Sequence, residues 1–212
     1  MKITWLGHSS FLMEDSEGIK VLTDPFDNTV GYPVYRENCD VVTISHYHFD
    51  HDYTKEIKGK YELIDKTGHY NINGIDITGM PSYHDKVKGA KRGENIIYIF
   101  KIDDYRICHL GDLGYVLNED EIRRVGNVDV LFVPVGGNFT IDGKEAANVT
   151  KLLKPHIVIP MHYMTPQLKL ELDGAETFIK YMKNSEKINS CQIEINEKLK
   201  EYDKVKILQY KK

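Results

Sequence analysis

The chain has 212 residues and a formal net charge of −4, from 28 basic and 32 acidic side chains. This length favours a single domain over residues 1–212, and the slightly acidic balance argues against a dedicated nucleic-acid-binding protein. No apolar run approaches the ~20 residues that a membrane-spanning helix needs. The first residues lack the pattern of a secretory signal and the three cysteines are widely spaced, so we expect free thiols and a cytoplasmic location.

Short runs rich in Val, Ile, Thr and Tyr recur between Gly, Asp, Asn and Pro residues, which is typical of β-strands. We predict strands at 2–6, 10–14, 19–23, 41–45, 61–64, 75–80, 96–101, 105–109, 129–134, 156–161 and 204–210. Turn sequences join the second of these strands to the third and the seventh to the eighth, which predicts two hairpins.

Helical patterns are fewer than strand patterns. We predict helices at 118–126, 142–153 and 173–184, with a shorter one at 53–58. Each of the three longer segments begins with Asn or Asp, which are favoured at the N-cap position. Hairpins at the start of the chain, followed by strands that alternate with helices, predict an α/β domain with mixed sheets.

The strongest feature of the sequence follows the predicted strand 41–45 and reads Ser-His-Tyr-His-Phe-Asp-His-Asp. Side chains two residues apart in an extended chain point the same way, so His46 and His48 can reach one ion. The chain must then turn for Asp50 and His51 to serve a second position nearby. Imidazole nitrogens and carboxylate oxygens are Zn²⁺ ligands, and four such groups in six residues are more than one ion needs.

Three further residues of metal-ligating type follow apolar segments elsewhere in the chain, namely His84, Asp112 and His162. Open α/β folds place their ligands at the edge of the sheet where strands end. Each residue alone is weak evidence, because an isolated histidine more often has a structural role. Their shared placement favours one site, and seven ligands suit two cations that share a bridging carboxylate.

The segment SHYHFDHD resembles the HxHxDH signature of the metallo-β-lactamase superfamily. The segments TDPF, SYHD, HLGDLG, VPVGGNFT and PMHY also occur in the order found in that family. With the opening GHSSF, the pattern is similar to the branch of small metal-dependent hydrolases that includes ascorbate-6-phosphate lactonase. The resemblance covers about residues 1–165 and implies a four-layer αββα sandwich with the metal site at one edge of the two sheets.

The resemblance also implies a role for each ligand. The ligands of a first metal are His46, His48 and His84, those of a second are Asp50, His51 and His162, and Asp112 bridges both. In addition, Asp24 matches the carboxylate that orients a ligand histidine in this family. The implied cofactors are two divalent ions, with Zn²⁺ expected first and Mn²⁺ or Fe²⁺ as alternatives.

Two further histidines are candidates for the catalytic machinery beside Asp50. In this branch of the family an active-site histidine occupies the place of His8, directly after the first strand. The second, His109, has two open roles, since it can contact substrate or brace Asp112. Two other histidines, His69 and His156, are expected to be structural.

Candidate substrate-binding residues lie in two loops. Asn138 belongs to a Gly-rich loop after a strand, where its amide or the backbone N–H groups can stabilise an oxyanion. Lys88 and Arg92 belong to a basic stretch directly after His84, which can bind a substrate phosphate or carboxylate. A plain turn and a solvated loop are the competing interpretations of these two segments.

These features favour a hydrolase that uses a dinuclear centre and a bridging hydroxide to cleave an ester, lactone, amide or phosphodiester bond. We expect Asp50 to orient that nucleophile and to shuttle a proton. The expected partner is a small-molecule substrate, anionic if the basic stretch binds it, and a homo-oligomer stays open. Two alternatives remain, a nuclease or phosphodiesterase acting on RNA or DNA and a non-hydrolytic or redox metal-binding protein.

Overall fold

The computed structural model describes residues 1–196 and 198–211. The strands are β1 (Lys2–Gly7), β2 (Ser10–Glu14), β3 (Lys20–Thr23), β4 (Val41–Thr43), β5 (Glu62–Ile64), β6 (Gly68–Ile72), β7 (Ile75–Tyr83), β8 (Glu94–Ile102), β9 (Tyr105–His109), β10 (Val130–Pro134), β11 (Ile157–Met161), β12 (Ser185–Lys187), β13 (Gln192–Glu194) and β14 (Lys204–Ile207). The helices are α1 (Glu119–Val125), α2 (Gly143–Leu153) and α3 (Glu176–Met182). Of the helices in the described residues, none is long and apolar enough to cross a membrane.

The strands form two mixed sheets. The first has the order β13-β1-β2-β3-β4-β5, and the second has the order β12-β14-β11-β10-β9-β8-β7-β6. In the first sheet, β3, β4 and β5 run parallel to one another. In the second, β9, β10 and β11 run parallel, and the antiparallel pairings of β7 with β8 and of β8 with β9 give β7 the same direction. Parallel strands end at the same edge of a sheet, so each sheet has one edge where several loops meet.

The main apolar core lies between the two sheets. The rings of Phe11 on β2 and Phe132 on β10 stack face to face, with centroids 3.9 Å apart and planes 4° from parallel, and both side chains are fully buried. Ile3 and Met13 from the first sheet and Ile99 from the second belong to the same buried cluster. Burial of each such side chain contributes about 1.5–3 kcal/mol, so this contact holds the two sheets together.

The outer layers differ on the two sides of the sandwich. All three helices contribute buried residues to the main core, and α2 packs on β10 of the second sheet. The outer face of the first sheet, with Leu22 and Val42, is instead covered by irregular chain that carries Phe26, Tyr32 and Leu168. The expected four-layer αββα sandwich is therefore confirmed, with irregular segments in place of helices in one outer layer of the described chain.

Most of the predicted elements form, but not all. Residues 53–58 are not helical, because the N–H groups of Tyr53 and Lys58 donate to the carbonyl groups of Pro25 and Glu37. The helix predicted at 173–184 begins only at Glu176. The N–H group of Asp173 donates to Gly136, and its carbonyl group accepts from Met164.

Three short strands were not predicted, namely β6, β12 and β13. Buried positions do not alternate with exposed ones in β12, where every residue is exposed, and β6 has no fully buried residue. These strands form because a neighbouring strand offers backbone hydrogen-bonding partners, which an apolar pattern in the sequence cannot report.

The stacked pair of phenylalanines gives a stability prediction. Phe132→Ala should lower the free energy of unfolding by about 3–5 kcal/mol, because it removes a large side chain from a packed core and leaves a cavity. Leu152→Ala is the control, since Leu152 is 45% exposed on α2 and should lose much less. Urea denaturation of the three proteins measures both effects, and equal destabilisation by the two substitutions would contradict this placement of the core.

Candidate metal centre

The metal-ligating residues collect at the edge where the parallel strands of both sheets end. In the first sheet, His46 follows β4 after two residues. In the second sheet, His84 follows β7 directly, Asp112 follows β9 after two residues, and His162 follows β11 directly. The site therefore lies across the top of the sandwich, with side chains from both sheets.

The potential ligand atoms form overlapping groups, within each of which all atoms lie within 4.8 Å of one another. These groups are His46, His48 and His84; His46, His51 and Asp112; and His8, Asp50, His51 and His162. The first group is the ligand set expected for one ion. The third contains the set expected for a second ion, together with His8, which the sequence suggested only as a catalytic residue.

The carboxylate of Asp112 is the centre of the site. Its Oδ2 atom lies 3.2 Å from Nε2 of His162, 3.3 Å from Nε2 of both His51 and His84, and 3.9 Å from Nε2 of His46. Two ligands bound to one tetrahedral Zn²⁺ at 2.0–2.1 Å lie ~3.3 Å apart. The separations from His162, His51 and His84 therefore match the edges of metal coordination polyhedra that share this oxygen, and that from His46 is longer.

The hydrogen-bonding state of these atoms tests whether the residues fit a metal. Nε2 of His46, Nε2 of His51 and Oδ1 of Asp112 are buried and make no hydrogen bond among the described residues. A buried polar atom without a partner costs free energy, so such atoms are rare unless an ion or water satisfies them. Three of them that converge on one point fit a cation.

The charges of the site also fit a cation. Burial lowers the pKa of His46 well below its ordinary value, which leaves the imidazole neutral and able to ligate. Burial opposes the ionisation of Asp112, but His162 and His51 outweigh it and hold the pKa of the carboxyl well below its usual range. For His51, burial is outweighed by Asp112 and Asp50, which raise its pKa well above the ordinary value. The carboxylates beside His51 therefore favour a positive charge at this position, which a cation can supply.

A buried carboxylate behind the ligands orients two of the histidines. Oδ2 of Asp24 lies 2.9 Å from Nδ1 of His51 and accepts a 2.6 Å hydrogen bond from the Ser45 hydroxyl group, while Oδ1 accepts from the Ser45 N–H group. The Ser45 hydroxyl oxygen lies 2.9 Å from Nδ1 of His46. Such contacts fix the ring orientation and direct Nε2 towards the metal. Sequence reasoning missed Ser45, although its position directly before His46 is a usable signal.

A hydrogen bond to the Asp112 backbone holds this residue in place. Its N–H group donates to Oδ1 of Asn95, whose side-chain amide donates to Ser82 and to the Leu110 carbonyl group. Gly111 precedes Asp112 with a φ of 55°, and a Cβ atom there would lie 2.3 Å from Oδ1 of Asn95. Only glycine therefore allows the turn from β9 into the site, and Asn95 is a functional residue that sequence reasoning missed.

Of the two roles open for His109, the structure favours bracing. The side chain is fully buried, with Nε2 2.8 Å from the Ser9 carbonyl oxygen, and Nδ1 accepts a hydrogen bond from the Gly111 N–H group. Both ring nitrogens are therefore engaged with backbone, and His109 is not among the residues that line the cavity above the centre. Bracing of the turn before Asp112 is therefore the role that we propose for His109.

The second ligand group contains a buried His–Asp pair. Nε2 of His8 lies 3.0 Å from Oδ2 of Asp50, and the His8 ring is fully buried against that of His162, with centroids 4.4 Å apart. Burial and the neighbouring His162 lower the pKa of His8 to about 4, so the ring is neutral at pH 7 and can donate to the carboxylate. His8 therefore fixes one oxygen of Asp50.

A cavity of about 220 Å³ opens above the ligands. It is lined by His48, Phe49, Asp50, His84, Arg92, Asp112, Phe139, His162 and Leu170. The Arg92 guanidinium lies over the Phe139 ring, with its carbon 4.5 Å from the ring centroid. The apolar residues Phe49, Phe139 and Leu170 have no metal-ligating groups, so their position at the site could not be predicted from the sequence.

The other two candidate substrate-binding residues lie outside this cavity. Lys88 is exposed and is not among the lining residues. The Asn138 side-chain amide donates to the Glu171 carbonyl group at 2.9 Å, so it is not free to stabilise an oxyanion at the metal centre. Neither Lys88 nor the Asn138 amide therefore reaches the metal centre, and of the predicted substrate-binding set only Arg92 lines the metal cavity.

Comparison with known proteins agrees with this fold. The sequence profile described as a β-lactamase superfamily domain matches residues 2–162. The chain belongs to the metallo-β-lactamase superfamily. Similarity to its relatives identifies the chain, more narrowly, as a metal-dependent hydrolase of that superfamily.

Two curated relatives and one solved structure show the similarity. A UPF0173 metal-dependent hydrolase of Pyrococcus horikoshii is 33% identical over 195 residues, which cover 78% of this chain and 85% of that protein. A UPF0173 metal-dependent hydrolase of Carboxydothermus hydrogenoformans is 32% identical over 200 residues, with the same coverage of 78% and 85%. The crystal structure of a metallo-β-lactamase superfamily protein from Thermotoga maritima matches 99% of both chains with a TM-score of 0.85 and 40% identity.

The two ends of β11 give a matched test of the site. His162→Ala should lower the bound metal by at least one equivalent per chain, because it removes an imidazole 3.2 Å from the Asp112 carboxylate. His156→Ala should retain all bound metal, since His156 precedes the same strand and stacks on Tyr202. Elemental analysis after dialysis against Zn²⁺ measures both, and equal metal content in the two variants would show that the site is misplaced.

Proposed function

We propose that this chain hydrolyses a small, anionic substrate at a dinuclear centre, by cleavage of an ester, lactone, amide or phosphodiester bond. The observation that carries the proposal is the Asp112 carboxylate, whose Oδ2 atom lies 3.2–3.9 Å from four imidazole nitrogens. Four imidazole nitrogens and this oxygen make five potential ligands, one more than a tetrahedral Zn²⁺ ion takes, which favours a second ion beside the first. A shared carboxylate between two cations accounts for the whole arrangement.

The proposed ligand assignment follows the groups of atoms described above. His46, His48 and His84 would hold the first ion, Asp50, His51 and His162 would hold the second, and Asp112 would contact both. Zn²⁺ is the proposed metal, because a set rich in imidazole with few carboxylates suits it better than Mg²⁺ or Ca²⁺. When bound, the two ions would supply Lewis acidity and lower the pKa of a shared water towards ~7.

Asp50 is the proposed catalytic residue, because it combines a fixed position with access to the cavity. Its Oδ2 atom is held by His8, and its carboxylate lines the cavity. No described residue hydrogen-bonds to Oδ1, so this oxygen can orient the attacking water and accept its proton. Burial opposes ionisation of Asp50, but His51 and the hydrogen bond from His8 lower its pKa, which keeps it ionised.

His8 is proposed as a positioning residue for Asp50. Its ring is fully buried and does not line the cavity, so it acts on the substrate only through the carboxylate. Arg92 is proposed as the first contact for a negatively charged substrate group. Its guanidinium lies at the wall of the cavity against Phe139, and it can bind a carboxylate or phosphate with two parallel hydrogen bonds.

The dinuclear assignment predicts a metal stoichiometry. The purified protein, saturated with Zn²⁺ and dialysed, should hold about two ions per chain. His48→Ala should remove the first ion and weaken the second, because the two ions share the Asp112 carboxylate. His69→Ala is the control, since His69 lies on β6 and contacts Thr78 rather than the ligands.

Hydrolysis should follow the metal content. Chelation should abolish the turnover of a panel of lactone, phosphodiester and acyl-amide substrates, and restoration of Zn²⁺, Mn²⁺ or Fe²⁺ should recover it for one bond type. A wild-type protein that binds no metal, or that hydrolyses equally well after chelation, would overturn the proposed function. Cleavage of RNA at a rate above that of every small substrate would favour the nuclease alternative.

A further inference from the structure

A second cavity, of about 420 Å³, adjoins the metal cavity. The two share His84, Arg92 and Phe139, so the stacked Arg92 and Phe139 side chains form the wall between them. We call this second cavity the basic annex after its cations Lys86, Lys91 and Arg92. Its lining also includes Asn138, Phe139 and the carboxylates of Asp85, Asp142 and Glu145. The metal cavity alone is smaller than the ~300–1,000 Å³ of typical ligand pockets, which indicates that a substrate extends beyond it.

The charges in the annex divide into paired and unpaired groups. Lys86 forms an ion pair with Glu145 at 2.5 Å, and Asp142 uses its carboxylate to cap α2 through the N–H groups of Lys144 and Glu145. Lys91 and Arg92, in contrast, form no ion pair with any residue in 1–196 or 198–211. The two cations that remain available in the annex are therefore adjacent in sequence, next to the metal cavity.

The loop that carries these cations is held in one conformation by a buried carboxylate. Oδ1 of Asp85 accepts hydrogen bonds from the N–H groups of Val87 and Gly89, and Oδ2 accepts from those of Lys91 and Arg92, all at 2.8–2.9 Å. The backbone that carries Lys91 and Arg92 is therefore fixed, which reduces the conformational entropy lost when these side chains bind a ligand.

The Arg92 side chain is itself oriented for a ligand. One face of its guanidinium is covered by the Phe139 ring at 4.5 Å, which leaves the N–H groups at its edge as the donors that a ligand can reach. Arginine presents these donors as a planar fork that matches the oxygens of a carboxylate or phosphate. Lys91, on the annex side, adds a second positive charge.

We propose that the basic annex is a subsite for a phosphate or carboxylate group in the part of the substrate remote from the bond that is cleaved. The substrate class is then a two-part molecule, with its scissile bond in the metal cavity and its anionic group between Lys91 and Arg92. This inference rests on the proposed function, because it assumes that the adjoining metal cavity holds the reacting bond.

Titration calorimetry of the Zn²⁺-loaded protein with three probes of similar shape tests the subsite: phenylphosphonate, benzoate and the neutral benzamide. Arg92→Ala should weaken the binding of an anionic probe by about 10- to 100-fold and Lys91→Ala by about 3- to 10-fold, because a charge-assisted hydrogen bond is lost at a partly exposed site. Benzamide binding should change by less than a factor of two in both variants. The two anions identify the preferred group, phosphate or carboxylate.

Lys88→Ala is the matched control, because Lys88 is an exposed lysine of the same loop, three residues from Lys91, and it does not line the annex. It should bind every probe as the wild type does. The proposal is overturned if Lys91→Ala and Lys88→Ala bind the anions equally well, which would mean that the anions bind only at the metals. It is also overturned if the wild type binds none of the three probes, or if neutral and anionic probes respond alike.

Metal content and the turnover of a neutral substrate are measured on the same samples. Together they distinguish a failure of the annex proposal from a failure of the proposed function. Arg92→Ala and Lys91→Ala should retain the full metal content, since neither residue is an expected ligand, and Lys88→Ala should also retain the turnover of neutral substrates. A protein that binds metal and hydrolyses substrates without any preference for anions would refute the annex alone. A wild type without metal would refute the proposed function.

Discussion

The interaction on which the site depends is the burial of the Asp112 carboxylate among histidine side chains from both sheets. A buried carboxylate is costly unless charged or hydrogen-bonding partners compensate it. His46 and His51 come from the first sheet, and His84 and His162 come from the second, so the compensation is available only when the two sheets are packed together. The fold and the metal site are therefore coupled. The stacked Phe11 and Phe132 rings hold the two sheets together and so contribute to both.

The supporting contacts extend this coupling into the backbone. Asp24 holds His51 directly and His46 through Ser45, and Asn95 holds the Asp112 backbone. None of these residues is an expected metal ligand, yet each fixes the direction in which a ligand points. Contacts of this kind commonly affect metal affinity by 10- to 100-fold when they are lost. The ligand geometry is thus a property of the packed strand ends and not of the His-rich segment alone.

The sequence could predict this cluster of His and Asp side chains because its members are chemically distinctive and lie at strand ends. His46, His48, Asp50 and His51 share one short segment, and each of the remaining ligands closely follows an apolar strand. Residues whose role depends on proximity in three dimensions were harder to predict from the sequence. Asn95 is 17 residues from Asp112, Phe139 has no reactive group, and the edge strands β6 and β12 have no apolar pattern.

Sequence reasoning also assigned substrate contacts to polar residues that the fold uses elsewhere. The ring nitrogens of His109 contact the backbone at Ser9 and Gly111, and the amide of Asn138 binds the Glu171 carbonyl group. A polar residue near a metal motif is ambiguous in sequence, because the same donor can serve the backbone or a ligand. Only the position of its partner atoms decides between these roles.

The central claim is that two ions flank the Asp112 carboxylate. Anomalous X-ray diffraction from Zn²⁺-loaded crystals, collected on both sides of the zinc absorption edge, tests it most directly. We expect two zinc peaks per chain, separated by about 3.5–4 Å as in two-metal hydrolases, one beside His46, His48 and His84 and the other beside Asp50, His51 and His162. A single fully occupied peak, or zinc bound away from Asp112, would contradict it.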